Sequence, residues 1–169
     1  ARLYMWVENY DSARVYARKA IDLGGYRPTT EAEWVNTTSG FNDLATASWM
    51  WGAQQMKEDD VVQTGILNWT SWVSNETTYG YASAGPMTMA GAAFYEKISN
   101  SDFRKLSWKA PEGSYLDGKN SYIDDELAEA SPEYGSLKFR PASGNISDYN
   151  VGSASAYPLM RIEEMYFIE

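Results

Sequence analysis

The 169-residue chain contains no histidine and no cysteine. No disulfide framework, Cys/His zinc site, thiolate nucleophile or Ser-His-Asp triad can be built from it alone. Basic residues are scarce too: 14 stand against 23 acidic ones, for a formal net charge of -9. A phosphate backbone requires a basic stripe, so this balance argues against nucleic-acid binding. No apolar run approaches the ~20 residues that span a bilayer, and the opening Ala1-Arg2-Leu3-Tyr4-Met5-Trp6 has neither the charged leader nor the apolar run of a signal peptide. A chain of this length corresponds to one domain or a piece of one, and can bury a core without disulfide or metal. What the chain has in quantity is aromatic residues, 15 % of the total, with 13 Tyr and 7 Trp against 5 Phe. Most of these rings therefore carry a polar atom, which suits a wet interface or a binding surface.

Three stretches differ in character. Residues 1–23 pattern as a helix pair: Ala1 to Glu8, a turn at Asn9-Tyr10-Asp11 with Asp11 as N-cap, then Ser12 to Asp22 with Ala13, Ala17, Ala20 and Ile21 at helical spacing and Gly24-Gly25 as the stop. An aromatic before a cap and alanines along the packing face resemble half of a tetratricopeptide unit, though any two-helix hairpin shares the pattern. Residues 24–156 are loop-rich. Within them Thr30 and Glu33 are placed as a capping box, Ser48 to Gln54 alternates as a strand, a helix is expected from Met87 to Ile98, and Asp102 caps a short helix. Gly113 to Pro132 is acidic and irregular, and Leu137 to Arg140 is expected to be a short strand. Residues 157–169 begin a further helix led by Tyr157-Pro158. The expected class is mainly α with loop-rich excursions and a few short strands. Neither end carries a cap or stop signal, so the chain is expected to be an internal portion of a longer protein, with any export signal or lipid-bearing cysteine upstream.

The densest aromatic cluster runs from Asn68 to Tyr81. Sugar rings lay their C–H faces on Trp or Tyr while Asn, Ser and Thr exchange hydrogen bonds with the hydroxyls. Trp69, Trp72, Tyr79 and Tyr81 are accordingly the stacking candidates, with Asn68 and Asn75 as polar partners; the bland alternative is that the Trp rings plug a core under a long loop. Tyr79 and Tyr81 share one side if that segment is extended. Trp49 and Trp51 are expected on a buried sheet face, and Asn42 and Asp43 in turn-forming roles. The acidic runs Glu58-Asp59-Asp60 and Asp124-Asp125-Glu126 pattern as solvated loops. Calcium at Asp117 to Glu126 is disfavoured because Gly118 is misplaced for an EF-hand, so no metal or cofactor is expected.

Several segments in order resemble the SusD/RagB family of glycan-binding outer-membrane lipoproteins. They are Tyr10 to Asp22 followed by Gly24-Gly25-Tyr26, Trp51-Gly52-Ala53-Gln54, Tyr79-Gly80-Tyr81 before Gly85-Pro86, Tyr95 to Ile98 with Asp102 to Lys105, Lys138-Phe139-Arg140, and Tyr157 to Glu169. The resemblance implies a SusD-like scaffold of tetratricopeptide-like helix pairs. It further implies a non-enzymatic receptor at the outward face of the outer membrane, lipid-anchored through an upstream residue, that captures oligosaccharide for a SusC-like TonB-dependent transporter. Two competing functions share the same residues: a carboxylate-dependent glycoside hydrolase and a protein-interaction module without glycan binding.

Overall fold

The computed structural model describes all of residues 1–169. Its helices are α1 (Arg2–Trp6), α2 (Tyr10–Leu23), α3 (Glu31–Trp34), α4 (Asp60–Gln63), α5 (Trp69–Val73), α6 (Gly80–Ser83), α7 (Ala92–Tyr95), α8 (Asp125–Ala130), α9 (Tyr149–Gly152) and α10 (Ile162–Ile168). Strands β1 (Trp49–Gln54) and β2 (Ala156–Arg161) form a two-stranded antiparallel sheet. The chain divides into two units. One gathers Ala1–Thr29, Leu44–Ala53 and Pro158–Glu169; the other holds Thr30–Asp43 and Gln54–Tyr157.

The first unit is organised by α2, the one helix of 14 residues. Asn9, rather than Asp11, caps it: the Asn9 side chain accepts the Ser12 N–H at 3.1 Å, and Asp11 falls in the first turn, where its charge favours the helix N-terminus. Ala13 and Ala17 are fully buried, and the absence of larger side chains there lets α10 approach and set Ile162 and Met165 against Ala17. Charge pairs frame this contact. Arg2 donates its Nε to Glu164 Oε1 at 2.6 Å, and Arg18 its Nε to Glu169 Oε1 at 2.7 Å. The helix expected from Tyr157 begins instead at Ile162, because Pro158 lies inside β2. A two-stranded sheet has only edge strands, which tolerate a residue without an N–H, and proline holds Tyr157 before it in extended backbone. Ser48 O then accepts the Ile162 N–H at 2.8 Å, tying the start of α10 to the residue before β1.

The second unit is a succession of one-turn helices. The capping box at α3 forms as expected: Thr30 N–H donates to Glu33 Oε2 at 2.8 Å and Glu33 N–H returns to Thr30 Oγ1 at 3.4 Å. Asp102 caps a 3-10 turn at Phe103–Ser107. The acidic run at 124–126 is a helix start rather than a loop, since Asp124 Oδ1 accepts the Leu127 N–H at 3.0 Å. Lys109 Nζ closes the other end of α8 on the carbonyls of Ala128 and Ser131 at 2.6 and 2.7 Å. The long helix expected at 87–98 shrinks to α7, because Met89 is drawn into a bridge with Gly135; the strand expected at 137–140 gives way to isolated bridges at Gly135 and Ser136.

A scaffold of tetratricopeptide-like helix pairs is not what the chain forms. Helix covers 38 % and strand 9 % of the residues, so turns and loops outweigh both, and the mainly-α expectation is corrected with it. Beyond α1–α2 no helix exceeds the seven residues of α10. The physical reason is the frequency of Asn, Asp, Ser and Thr whose side chains bond nearby backbone, which starts and stops helices within a turn.

At the centre of the second unit lies a buried ion pair. Glu76 and Arg140 are both within 3 % of full side-chain burial and meet at 2.6 Å. Glu76 Oε1 also accepts the Ile123 N–H at 3.0 Å, and Arg140 Nη2 donates to Ser121 O at 2.7 Å. Burial pushes the Glu76 carboxyl up from its ordinary range, against the opposing pull of the Arg140 charge and the Ile123 N–H. Burial likewise lowers Arg140. Each ion thus depends on the other for its only nearby counter-charge. Replacing Glu76 alone with Met is expected to cost about 3–5 kcal/mol by urea denaturation, whereas replacing Glu76 and Arg140 together with Met recovers most of that loss. Equal losses for the single and double variants would contradict this account.

Candidate functional site

The aromatic stretch folds as α5, an extended link, and α6. Asn68 starts α5 by accepting the Ser71 N–H at 2.8 Å, and Ser74 ends it in extended backbone. Trp69 and Trp72, three apart, share a helical face but acquire different surroundings. Trp69 is half-buried, edge-on to Phe139 at 5.5 Å and tilted against Tyr157 at 5.2 Å. Trp72 is 56 % exposed, and its one ring partner is Tyr81 at 4.7 Å with the planes 49° apart.

Gly80 makes that partnership. Its φ of +68° is a conformation that L side chains rarely adopt, and a Cβ there would lie 2.3 Å from Ser71 Oγ and 3.0 Å from Ser71 Cα. Only a glycine lets α6 come this close to α5. The same turn separates the two tyrosines. The extended segment that would align them does not form; Tyr81 lies half-buried against Trp72 while Tyr79 turns inward, 8 % exposed. Burial, reinforced by the Asp148 charge, raises the Tyr79 phenol from 10.0 to about 12. The Ser153 hydroxyl is near enough to oppose part of that rise but not in hydrogen-bond geometry, so Tyr79 Oη lacks a partner.

Both asparagines are buried and engaged with backbone. Asn68 is the α5 cap, and Asn75 pins Thr88, donating Nδ2 to its carbonyl at 2.7 Å and accepting its N–H at 2.9 Å. Of the six sequence candidates, Trp72 and Tyr81 are brought into contact, the first exposed and the second half-buried; Trp69 joins a separate row, and Asn68, Asn75 and Tyr79 hold the scaffold beneath.

That separate row is the feature the sequence did not disclose. Trp34, Phe41, Phe139, Trp69 and Tyr157 follow one another at centroid spacings of 5.2 to 5.5 Å. Lys138 Nζ lies over the Trp34, Phe41 and Phe139 rings at 5.3, 4.7 and 5.3 Å. Trp51, expected on a buried face with Trp49, is 59 % exposed, while Trp49 is buried. A strand places both on one face, but in a two-stranded sheet that face is covered over only part of its length.

No family model and no curated protein matches the chain. Glu76 is sealed beneath the surface, and no group of three or more acidic side chains is placed to hold a metal ion.

Two outcomes follow from the α5–α6 geometry. Gly80→Ala is expected to destabilise the protein by about 1–3 kcal/mol, read by thermal or urea denaturation. Raising the pH from about 10 to about 12 should remove the stability that a protonated, buried Tyr79 contributes, because the unfolded chain ionises first. In Tyr79→Phe that part of the decline is absent, and an unchanged slope would contradict the burial of the phenol.

Proposed function

We propose that this protein is a non-enzymatic glycan-binding receptor that captures oligosaccharide for a TonB-dependent outer-membrane transporter. The observation that carries the binding role is the Trp72–Tyr81 pair: two rings in contact, one more than half exposed, held on short elements that Asn68 and Gly80 fix in place. Tilted planes form a shallow angle into which the C–H face of a pyranose fits. A neutral polyol also suits a chain of net charge -9 better than an anionic ligand does. The transporter partner, the outward-facing location and the upstream lipid anchor rest on the ordered resemblance to SusD/RagB proteins; the helix-pair scaffold of that family forms no part of the support. No helix is long and apolar enough to cross a membrane.

The protein-interaction reading has one observation of its own. Helices α1 and α2 leave Leu3, Trp6, Val7 and Tyr10 exposed, a run of apolar side chains suited to a protein partner. Both readings answer to the same measurements. Trp72→Ala and Tyr81→Ala are each expected to weaken glycan binding about three- to tenfold by calorimetry, with little change in unfolding midpoint. Unchanged affinity in the folded variants would remove the stacking surface. New reducing ends after incubation with glycan would identify a hydrolase, and retention of a transporter without any glycan binding would favour the interaction module.

A further inference from the structure

Two adjoining recesses in the second unit share the walls Gln54, Ala142, Ser143 and Ala154. The larger, about 580 Å³, adds Met56 and Val151 among its lining; the smaller, about 300 Å³, adds Asn42 and the hydroxyls of Thr38 and Ser39. Each falls within the range of roughly 300–1,000 Å³ typical of small-ligand sites. Lys57, Glu58 and Asn150 also line the larger recess and Asp43 the smaller, and among these walls stand two amides whose orientation the structure fixes. Asn42, 5 % exposed, donates Nδ2 to the carbonyls of Thr38 at 3.1 Å and Pro141 at 2.7 Å. Gln54 donates Nε2 to the carbonyls of Gln55 at 2.9 Å and Ala154 at 2.8 Å. Reversing either amide would set its oxygen against two carbonyls, so both assignments are forced. Neither Asn42 Oδ1 nor Gln54 Oε1 receives a hydrogen bond from the protein. Both oxygens are therefore open to an N–H or O–H donor on a ligand.

Between the two amides runs the turn Pro141–Asn145. Ser143 occupies the left-handed region at φ 55°, ψ 20°, uncommon for a residue with a side chain. The Gly144 N–H on Pro141 O and the Asn145 N–H on Ala142 O, both at 3.0 Å, hold it there. Ser143 thus stands on the wall common to both recesses.

We infer that this double recess is a second binding site, and that it takes a neutral saccharide whose hydroxyls donate to Asn42 Oδ1 and Gln54 Oε1 while its C–H surface lies on Met56, Val151, Ala142 and Ala154. The choice of a saccharide over other hydroxyl donors rests on the glycan reading above; the recess and its acceptors do not. At those two points the ligand has to donate, because the two fixed amides present oxygen only. Apolar contact comes from small aliphatic side chains rather than rings, so the site holds a sugar by enclosure and hydrogen bonding, unlike the open face at Trp72.

The test is a titration of the full chain, ¹⁵N-labelled, with glucose, galactose, mannose and their disaccharides. Saturable shifts are expected in the side-chain amide signals of Asn42 and Gln54 and in the Ser143 backbone amide. Gln54→Met, which removes one acceptor from an exposed side chain, should weaken that binding about three- to tenfold. Val151→Trp, which fills the larger recess from its exposed rim, should weaken it at least tenfold, and Trp72→Ala should leave it unchanged. Unshifted signals elsewhere in the spectrum will show that each variant is folded. Shifts at Trp72 and Tyr81 alone would overturn the recess and leave the glycan reading standing. Shifts at the recess alone would support it and remove the stacking surface. Absence of shifts at either place with every sugar would overturn the assignment of a saccharide to the recess.

Discussion

Two opposite charges sealed from water set the arrangement of the larger unit. Glu76 and Arg140 meet in its interior, and each brings a stretch of irregular backbone with it: Glu76 fixes Ile123 through its N–H, Arg140 fixes Ser121 through its carbonyl. Turns and one-turn helices bury little apolar area of their own, so a unit made of them needs directional contacts to select one arrangement of its loops. A charged pair with hydrogen bonds to backbone supplies that selection, although its net contribution to stability is small once desolvation is counted. Pro141, beside Arg140, then accepts from Asn42, so the same short segment braces both the ion pair and the recess wall.

A second theme is that polar side chains here act on backbone rather than on one another. Asn9, Asn68, Asp102 and Asp124 cap; Asn75 and Asn120 tie distant strands of chain by accepting one group and donating to another. This is why so polar and turn-rich a sequence still has a definite fold. It also explains how Trp72 can remain exposed at low conformational cost, since the short helix bearing it is fixed at its base by a buried cap.

Many local elements are legible where a side chain acts within three or four residues, although the caps at Asn9 and Asp124 are not. Thr30 with Glu33, Asp102, the strand at 49–54 and the alanine face of α2 all appear as the sequence implies. Legibility failed where a remote group decides. Met87 to Ile98 has helix-forming residues, yet the bridge from Met89 to Gly135 outweighs local preference; Pro158 looks like a helix lead-in until β1 is present to pair with. At the candidate site, aromatic density draws notice to residues 68–81, but sorting Trp72 and Tyr81 from Trp69 and Tyr79 requires the close approach at Gly80. Asn42 stands out in the sequence only as a turn residue and Gln54 only as the end of a strand, because an unused acceptor becomes visible only once the donors of the same amide are placed.

The pairing of the first helices with the last has a consequence for how the chain acquires its structure. Arg2 meets Glu164 across 162 residues of sequence, and Arg18 meets Glu169 across 151. During synthesis α1 and α2 emerge early and remain without α10 until nearly the whole of residues 1–169 has been made. Separations of this kind carry a large loop-closure entropy and slow the search for the native arrangement. In that interval the buried stripe of Ala13 and Ala17 is open to any neighbouring helix, so production of the protein at high concentration depends on how quickly residues 158–169 arrive to cover it.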